Sequence, residues 1–452
     1  MPETTATSRA EHRRIAIAAA AGTTIEWYDF FIYALCAGLV FNTQYFAELG
    51  GDALLVSFAT IGISFVFRPL GAAAAGHLGD RIGRRGTLIF TLLLMGGSTT
   101  LIGAIPPSSS IGVAAPILLV LLRILQGVSA GGEWGGAALL AVEHAPRNRR
   151  GLFGAYPQLG APAGLLLSNG VLAAVSAATS QQQFLAWGWR IPFLLSVVLI
   201  AVGWLIRVKV AESPVFRQLQ DSGGRSRSPL VAVVRRNFPM LVAGALLFAA
   251  NNAAGYMTTG GYVQSYAVNT LRLPQSAVLL AVMAGAVVWL VTTLLAGWLS
   301  DRLGRLAVYR IGFGIQLVWM FPFFALLDSG NIALLFLALV LYSVGLGLTY
   351  GPQAALNSEM FPASVRYSGI ALTYATGAVL GGAFAPMIAQ ALQSSTGTVH
   401  SVGAYLAAVT VVGLVVACVL KDRSGIPLTQ ERHDTGSHSA HPGGARGGDR
   451  AP

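Results

Sequence analysis

Twelve stretches of mainly apolar residues run through this chain from end to end. Each is about as long as the roughly 20-residue helix that crosses a bilayer. They fall at 15–41, 53–76, 87–105, 113–142, 151–174, 191–208, 239–267, 276–299, 308–327, 332–356, 368–392 and 402–420. In lipid every backbone N–H and C=O must find its partner within the segment, so such stretches fold as helices. Little is left for a water-soluble domain: 10% of the 452 residues are charged, against about 25% in a soluble globular protein, and mean hydropathy is +0.64. The first stretch follows Arg9, Arg13 and Arg14 as a signal peptide would, but it is long and holds Glu26 and Asp29, so it reads as the first span. Cys36 and Cys418 lie in apolar stretches at opposite ends of the chain, which predicts no disulfide and no metal site. No cofactor is expected.

The net charge of +11 would suit nucleic acid, but the positions of the basic residues point to topology instead. With the N-terminus in the cytoplasm, 25 of the 29 Lys and Arg fall in the tails or the inner loops. Arg190 and Arg272 fall near outer loops, and Arg68 and Arg123 lie within spans. This is the positive-inside asymmetry. It predicts a multi-pass inner-membrane protein with both termini cytoplasmic, embedded in lipid and without a nucleic-acid partner; a monomer is expected. The expected units are a tail at 1–14, six spans at 15–208, a cytoplasmic loop at 209–238, six more spans at 239–420 and a tail at 421–452. The last is rich in Gly, His, Pro, Arg and Ser and is expected to be disordered, with His433, His438 and His441 solvated rather than metal-bound.

The halves repeat each other. GHLGDRIGRR at 76–85 returns as GWLSDRLGRL at 297–306, and EHAPRNRRG at 143–151 returns as EMFPASVRYSG at 359–369. Glu143, Pro146 and Arg150 match Glu359, Pro362 and Arg366 at identical spacing. Both motifs return at nearly the same distance along the chain, position 76 at 297 and position 143 at 359. Repeated halves of a transporter place its binding site at their interface near the midplane.

These motifs resemble those of the major facilitator superfamily, whose signature between the second and third helices GHLGDRIGRR matches. IEWYDFFIY at 25–33, FVFRPLGAAAAGHLGDRIGRR at 65–85 and RILQGVSAGGEWGGA at 123–137 are similar to the metabolite:proton symporter family within it, as are WRIPF at 189–193 and ESPVF at 212–216. The resemblance covers about residues 15–420. It implies an all-α membrane protein of twelve transmembrane helices in two pseudo-symmetric six-helix bundles, working by alternating access around a central cavity. It also implies the carriage, with protons, of organic acids such as shikimate or ketoglutarate, or of zwitterions such as proline and betaine.

Five ionisable side chains lie deep in spans: Glu26, Asp29, Arg68, Arg123 and Glu133. Charge is costly there, so such residues face a cavity and pair with one another, either for function or as a structural cluster. Counting about 1.5 Å of rise per residue sets Asp29 opposite Arg123, and Glu26 and Glu133 opposite Arg68. Tyr33 joins Asp29 on one face of its helix. Three acids face two bases, so one carboxylate is in surplus and suits a proton carrier. The candidates are Asp29, Glu26 and Glu133, with Asp29 favoured as the most central. A guanidinium fork matches a carboxylate. Arg123 and Arg68, with Tyr33 and Gln126, are therefore candidate substrate ligands in the first half. Asn251, Asn252, Tyr256, Tyr350 and Gln353 are candidates in the second, where helix–helix hydrogen bonding is the competing role.

Asp80, Arg81, Arg84 and Arg85 lie at a membrane edge, away from any midplane substrate. Gly76 and Gly83 permit close packing and a tight turn, and Asp80 can cap the next helix. By resemblance this motif is the conformational latch, with Glu143 and Arg150 as partners. Asp301, Arg302, Arg305, Glu359 and Arg366 form its second copy, expected to be weaker because Leu306 stands at the position of Arg85. Gly160, Pro162 and Gly164 read as a packing element of the fifth helix. No HExxH, GxSxG or Walker pattern appears in any polar segment and the loops are too short for a catalytic domain, so a carrier is expected rather than an enzyme. The reading is proton-coupled symport of a small carboxylate-bearing metabolite. A proline/betaine-type symporter and a non-coupled facilitator or exporter are the alternatives.

Overall fold

The computed structural model describes residues 9–208, 229–362 and 365–425, except 83, 132, 144 and 260. Twelve membrane helices follow one another: α1 Ala20–Gln44, α2 Ala53–Ile82, α3 Arg84–Ala104, α4 Ala114–Glu143, α5 Arg150–Ala178, α6 Gly188–Leu205, α7 Phe238–Thr270, α8 Gln275–Leu303, α9 Arg305–Asp328, α10 Ile332–Met360, α11 Arg366–Thr396 and α12 His400–Val419. Eleven are long and apolar enough to cross a membrane, and the apolar part of α3, Ile89–Ala104, is shorter. No strand occurs among the described residues. The expected loop at 209–238 carries a short helix, Pro229–Arg236, in its described part; its last turn holds Arg235 and Arg236, where the helix dipole favours cations. His433, His438 and His441 lie outside the described residues.

Glycine pairs set how the helices pack. Gly127 and Gly131 let α4 lie on α2 so closely that a Cβ at either would strike the backbone of Ser64 or Arg68. In the second half Gly347 and Gly351 of α10 meet Thr292 and Thr293 of α8 in the same way. The expected packing element of α5 lies on α1, with Gly160 against Thr23 and Gly164 against Trp27. Its counterpart is Gly377 and Gly381 of α11, against Phe248 and Ala249 of α7. Gly127 thus maps onto Gly347 and Gly160 onto Gly377, close to the register in which the sequence motifs repeat. The repeat extends from motif to packing, through the small-xxx-small spacing that brings membrane helices together.

Helices α1–α6 form one bundle and α7–α12 the other, and the two touch at both ends. At the end carrying the GWLSDRLGRL motif, α5 meets α8: a Cβ on Gly297 would lie 2.6 Å from Ala155 Cβ. At the opposite end α1 meets α7. Helices α1, α7 and α11 each contain a π turn, at Ala37–Phe41, Tyr266–Thr270 and Val379–Ala383. A π turn departs from the regular hydrogen-bond ladder and recurs at functional positions. In α1 the Gly38 carbonyl accepts two bonds from α7, from Ser265 Oγ at 3.1 Å and Asn269 Nδ2 at 3.1 Å.

Candidate functional site

Between the two closed ends the bundles leave a narrow cavity, about large enough for one water, lined by Trp27 and Phe31 of α1, Asn251, Asn252, Gly255 and Tyr256 of α7, Trp289 of α8, and Leu346 and Tyr350 of α10. Its walls are aromatic: Trp27 stacks on Tyr256 with ring centres 6.0 Å apart, and Trp289 meets Tyr350 edge-on at 5.3 Å. Two polar groups of these walls, the Tyr256 hydroxyl and the Trp289 indole N–H, are buried without a hydrogen-bond partner. Such groups are expensive to bury unless something completes them.

Of the expected second-half ligands, Asn251, Asn252, Tyr256 and Tyr350 come together here. Asn251 Oδ1 accepts from Thr349 Oγ1 at 2.6 Å. Gln353 is not in the lining; its Oε1 accepts from Gln158 Nε2 at 2.7 Å. Trp27, Phe31 and Trp289 were not expected. The available signal was their type, since a large ring with a polar edge suits a half-wet pocket.

Arg68 lies behind the Tyr256 and Phe65 side chains, 2% exposed. Its Nη1 donates to Tyr374 Oη of α11 at 2.7 Å, and its Nη2 stands 4.0 Å from Glu26 Oε1. Its Cζ lies 4.3 Å from the Phe65 ring centre, and its Nε has no partner. The expected meeting of Glu26 and Arg68 is therefore present. Tyr374, which supplies the one hydrogen bond, was missed: a lone tyrosine in an apolar span gives no sign of its partner.

The expected meeting of Asp29 with Arg123 is not formed. Arg123 turns toward α2, because Gly127 and Gly131 bring α4 against that helix. It donates to Ile61 O at 3.1 Å, Ser64 Oγ at 3.0 Å and Gln126 Oε1 at 2.8 Å, and its Cζ sits 3.7 Å over the Tyr33 ring. Asp29 turns toward α6, where Oδ1 accepts from Ser196 Oγ at 2.8 Å and Oδ2 has no hydrogen-bond partner. Tyr33 bonds Thr60 Oγ1 at 2.6 Å rather than Asp29. Rise along a helix gives height and not direction, so residues at one height can face different neighbours. A side route joins the two: Gln126 Nε2 donates to Thr99 Oγ1 at 2.7 Å, and Thr99 lies beside Asp29. Glu133 is buried at the start of the second helical segment of α4, Glu133–Glu143.

At the α5–α8 end, charge closes the molecule. Asp301 accepts the backbone N–H of Gly151 at 2.7 Å and of Leu152 at 2.9 Å, capping the first turn of α5 in the other bundle. Arg305 donates to Asp301 Oδ1 at 2.8 Å and grips both oxygens of Glu359 at 3.1 Å. Arg150 reaches Glu359 at 3.9 Å, and Arg366 reaches Glu143 at 3.8 Å. The second copy of the latch, expected to be the weaker, forms this network of ion pairs. Arg305 supplies the charge that Leu306 lacks, because the turn at Gly304 (φ 92°) carries it back over Asp301. Arg302 stands apart, over the Trp298 ring at 3.9 Å. In the first copy Gly76, Asp80, Arg81, Arg84 and Arg85 fall within α2 and α3, while Gly83 and the side chains of those residues lie outside the described residues.

The model of the Major Facilitator Superfamily matches residues 20–386. The chain belongs to this superfamily. Among its relatives it is 41% identical over 417 residues to the inner membrane metabolite transport protein YhjE of Escherichia coli, covering 90% of this chain and 93% of the relative. It is 38% identical to the shikimate transporter of Escherichia coli, covering 93% of this chain and 97% of that one. It is 33% identical to the glycine betaine/proline/ectoine/pipecolic acid transporter OusA of Dickeya dadantii, covering 92% and 84%. The fold matches the proton:xylose symporter XylE with a TM-score of 0.74 at 19% identity, over 92% of this chain and 98% of that one. This major facilitator is thus a multi-pass membrane transporter and not an enzyme, with the all-α twelve-helix fold that the repeat implied.

Proposed function

We propose that this protein is a proton-coupled symporter of a small carboxylate-bearing metabolite. It works by alternating access as a monomer in the inner membrane, with the α5–α8 end and both termini in the cytoplasm; the distribution of basic residues supports that orientation. The units are those the spans delimit, residues 15–208 and 239–420, joined by the segment 209–238. The observation that carries the reading is Arg68: a buried guanidinium at the bundle interface that makes one hydrogen bond, leaves Nε without a partner and stands 4.0 Å from its carboxylate. A guanidinium offers five N–H donors in a fork that fits a carboxylate. The cavity beside it presents the Tyr256 hydroxyl and the Trp289 N–H to the rest of the ligand. Arg123 suits the ligand role less, because its donors are already engaged.

Coupling follows from counting charge. In the empty carrier ionised Glu26 neutralises Arg68. When a substrate carboxylate takes Arg68, Glu26 loses its counter-charge and accepts a proton. Empty and fully loaded carriers then both hold a neutral cluster. Substrate without proton, or proton without substrate, leaves a net charge to be buried, which costs several kcal/mol in a low-dielectric site. The role first assigned to Asp29 thus moves to Glu26, with Asp29 and Glu133 as the other two candidates.

The aromatic walls favour a second reading within the same class. Trp27 and Tyr256 offer faces to a quaternary ammonium, so a betaine-like zwitterion would place its carboxylate on Arg68 and its cation in the cavity. The test is purified protein in proteoliposomes under an imposed pH gradient, acid outside, with shikimate, ketoglutarate, proline and glycine betaine in turn. Accumulation of one of them above its outside concentration is expected. Uptake that only equilibrates makes the protein a facilitator, and movement of none overturns the substrate class.

A further inference from the structure

The bond from Arg68 Nη1 to Tyr374 Oη joins positions 68 and 374, one in each bundle. It is one of the side-chain bonds that cross between bundles at the level of the cavity. Another is Gln158 Nε2 to Gln353 Oε1, and Gln158 Nε2 also reaches Tyr350 O at 3.2 Å. The two are connected. Trp134 of α4 stacks flat on the Tyr374 ring, with centres 4.4 Å apart and planes at 11°, and its Nε1 donates to Gln158 Oε1 at 2.9 Å. Phe248 of α7 sits edge-on to both rings, 5.3 Å from Tyr374 and 5.2 Å from Trp134. Tyr374 is therefore packed in a cluster with one aromatic residue from each bundle, which fixes where its hydroxyl stands.

We propose that Tyr374 is a positioning residue for the return of the empty carrier: its hydroxyl occupies Arg68 whenever substrate does not, and so ties the bundles together around an empty cavity. The inference rests on the reading of Arg68 as the carboxylate anchor. A buried guanidinium with a single hydrogen bond is held weakly, and a carboxylate is the better acceptor, since its charge roughly doubles the strength of the bond. Substrate arrival therefore displaces the phenol. The ring stays stacked on Trp134, so the displaced hydroxyl moves with the layer that runs through Gln158 to Tyr350, which itself lines the cavity. In the empty carrier the phenol returns to Arg68, and a carrier closed around nothing does not leave that cation facing only Glu26 across 4.0 Å. Tyr374 thus gives the transporter a closed empty state, which net uptake requires at every cycle. Exchange of substrate for substrate does not pass through it.

Tyr374→Phe tests this, because it removes the oxygen and keeps the ring packed on Trp134 and Phe248. The first measurement needs no substrate. Spin labels at Ser110 and Ser329, and in a second preparation at Asn148 and Lys421, report the separation of the bundles at the two ends in nanodiscs, with Cys418→Ser as the background. The empty variant should lose population from the closed distance at one or both ends, on the order of tenfold. A distance distribution unchanged from the parent overturns the proposal, whatever the protein carries. The second measurement compares net pH-driven uptake with counterflow in proteoliposomes. Net uptake should fall about tenfold while counterflow stays within about twofold and substrate binding is no weaker. Equal loss of both, with binding weakened as much as in Arg68→Gln, would make Tyr374 a substrate ligand and not a tie. If the parent protein carries none of the carboxylates or zwitterions offered, the functional reading fails on its own, and the distance measurement still decides the role of Tyr374.

Discussion

Asp301 of the second bundle holds the backbone N–H of Gly151, at the first turn of α5 in the first bundle, at 2.7 Å. A carboxylate at a helix start meets both unpaired amides and the positive end of the helix dipole. With Arg305 donating to the same Oδ1, Asp301 is a cap that works only while the bundles are closed at this end.

Asp301→Asn should therefore shift the conformational equilibrium and leave the cavity alone. Losing charge-assisted bonds of about 1.5–3 kcal/mol should open this end and slow transport about tenfold or more. Calorimetric substrate Kd, corrected for the change in population, should hold. Transport within twofold of the parent would show that the cap does not limit closure.

Gly297→Val makes the same end impossible to close. Its Cβ would fall 2.6 Å from Ala155 Cβ and 2.8 Å from Gly151 O, below any ordinary contact. Transport and counterflow should both be lost, with the protein expressed and monodisperse. Gly314→Val is the control, since a Cβ there meets nothing within 4 Å, and it should behave as the parent.

Glu26→Gln fixes the acid in a neutral form. Counterflow should persist and pH-driven accumulation should disappear. Asp29→Asn should keep accumulation at a reduced rate, because Asp29 faces Ser196 inside one bundle rather than the other bundle. Paired assays decide it: accumulation lost in Asp29→Asn and kept in Glu26→Gln would return the coupling role to Asp29.

Trp289→Phe and Tyr256→Phe each delete a donor that no protein atom uses. Thermal stability without ligand should be unchanged to within a degree or so for Tyr256→Phe, which loses no internal hydrogen bond, and should fall for Trp289→Phe, which also loses buried ring volume. KM should rise about tenfold for each, the worth of one hydrogen bond of some 1.5 kcal/mol. A fall in stability without a change in KM would mean that the ligand does not reach these groups.

The spans and the repeat were legible because lipid imposes them: length, apolarity and basic loops leave a pattern in any single chain. Glu26 with Arg68 was legible because both are charged and near one height. The partner of Asp29 was not, since Ser196 is uncharged and lies far along the chain in the sixth span. Arg123 was read as a ligand because its charge drew attention, while the glycines that turn it onto α2 act through the side chain they lack. Asp301 was undervalued because its strongest partners are backbone amides, which carry no sequence signature at all.

The Gly38 carbonyl, within the π turn of α1, gives the far end a different kind of lock. Two neutral bonds to one carbonyl hold α1 to α7 there, while the α5–α8 end is held by charge. Once parted, the charged surfaces are hydrated and screened by salt, and the neutral ones are nearly indifferent to it. Ionic strength therefore acts as a thumb on one side of the scale. Raising it should favour the carrier resting open at the α5–α8 end, so the medium around the protein helps to choose the side from which an idle transporter waits.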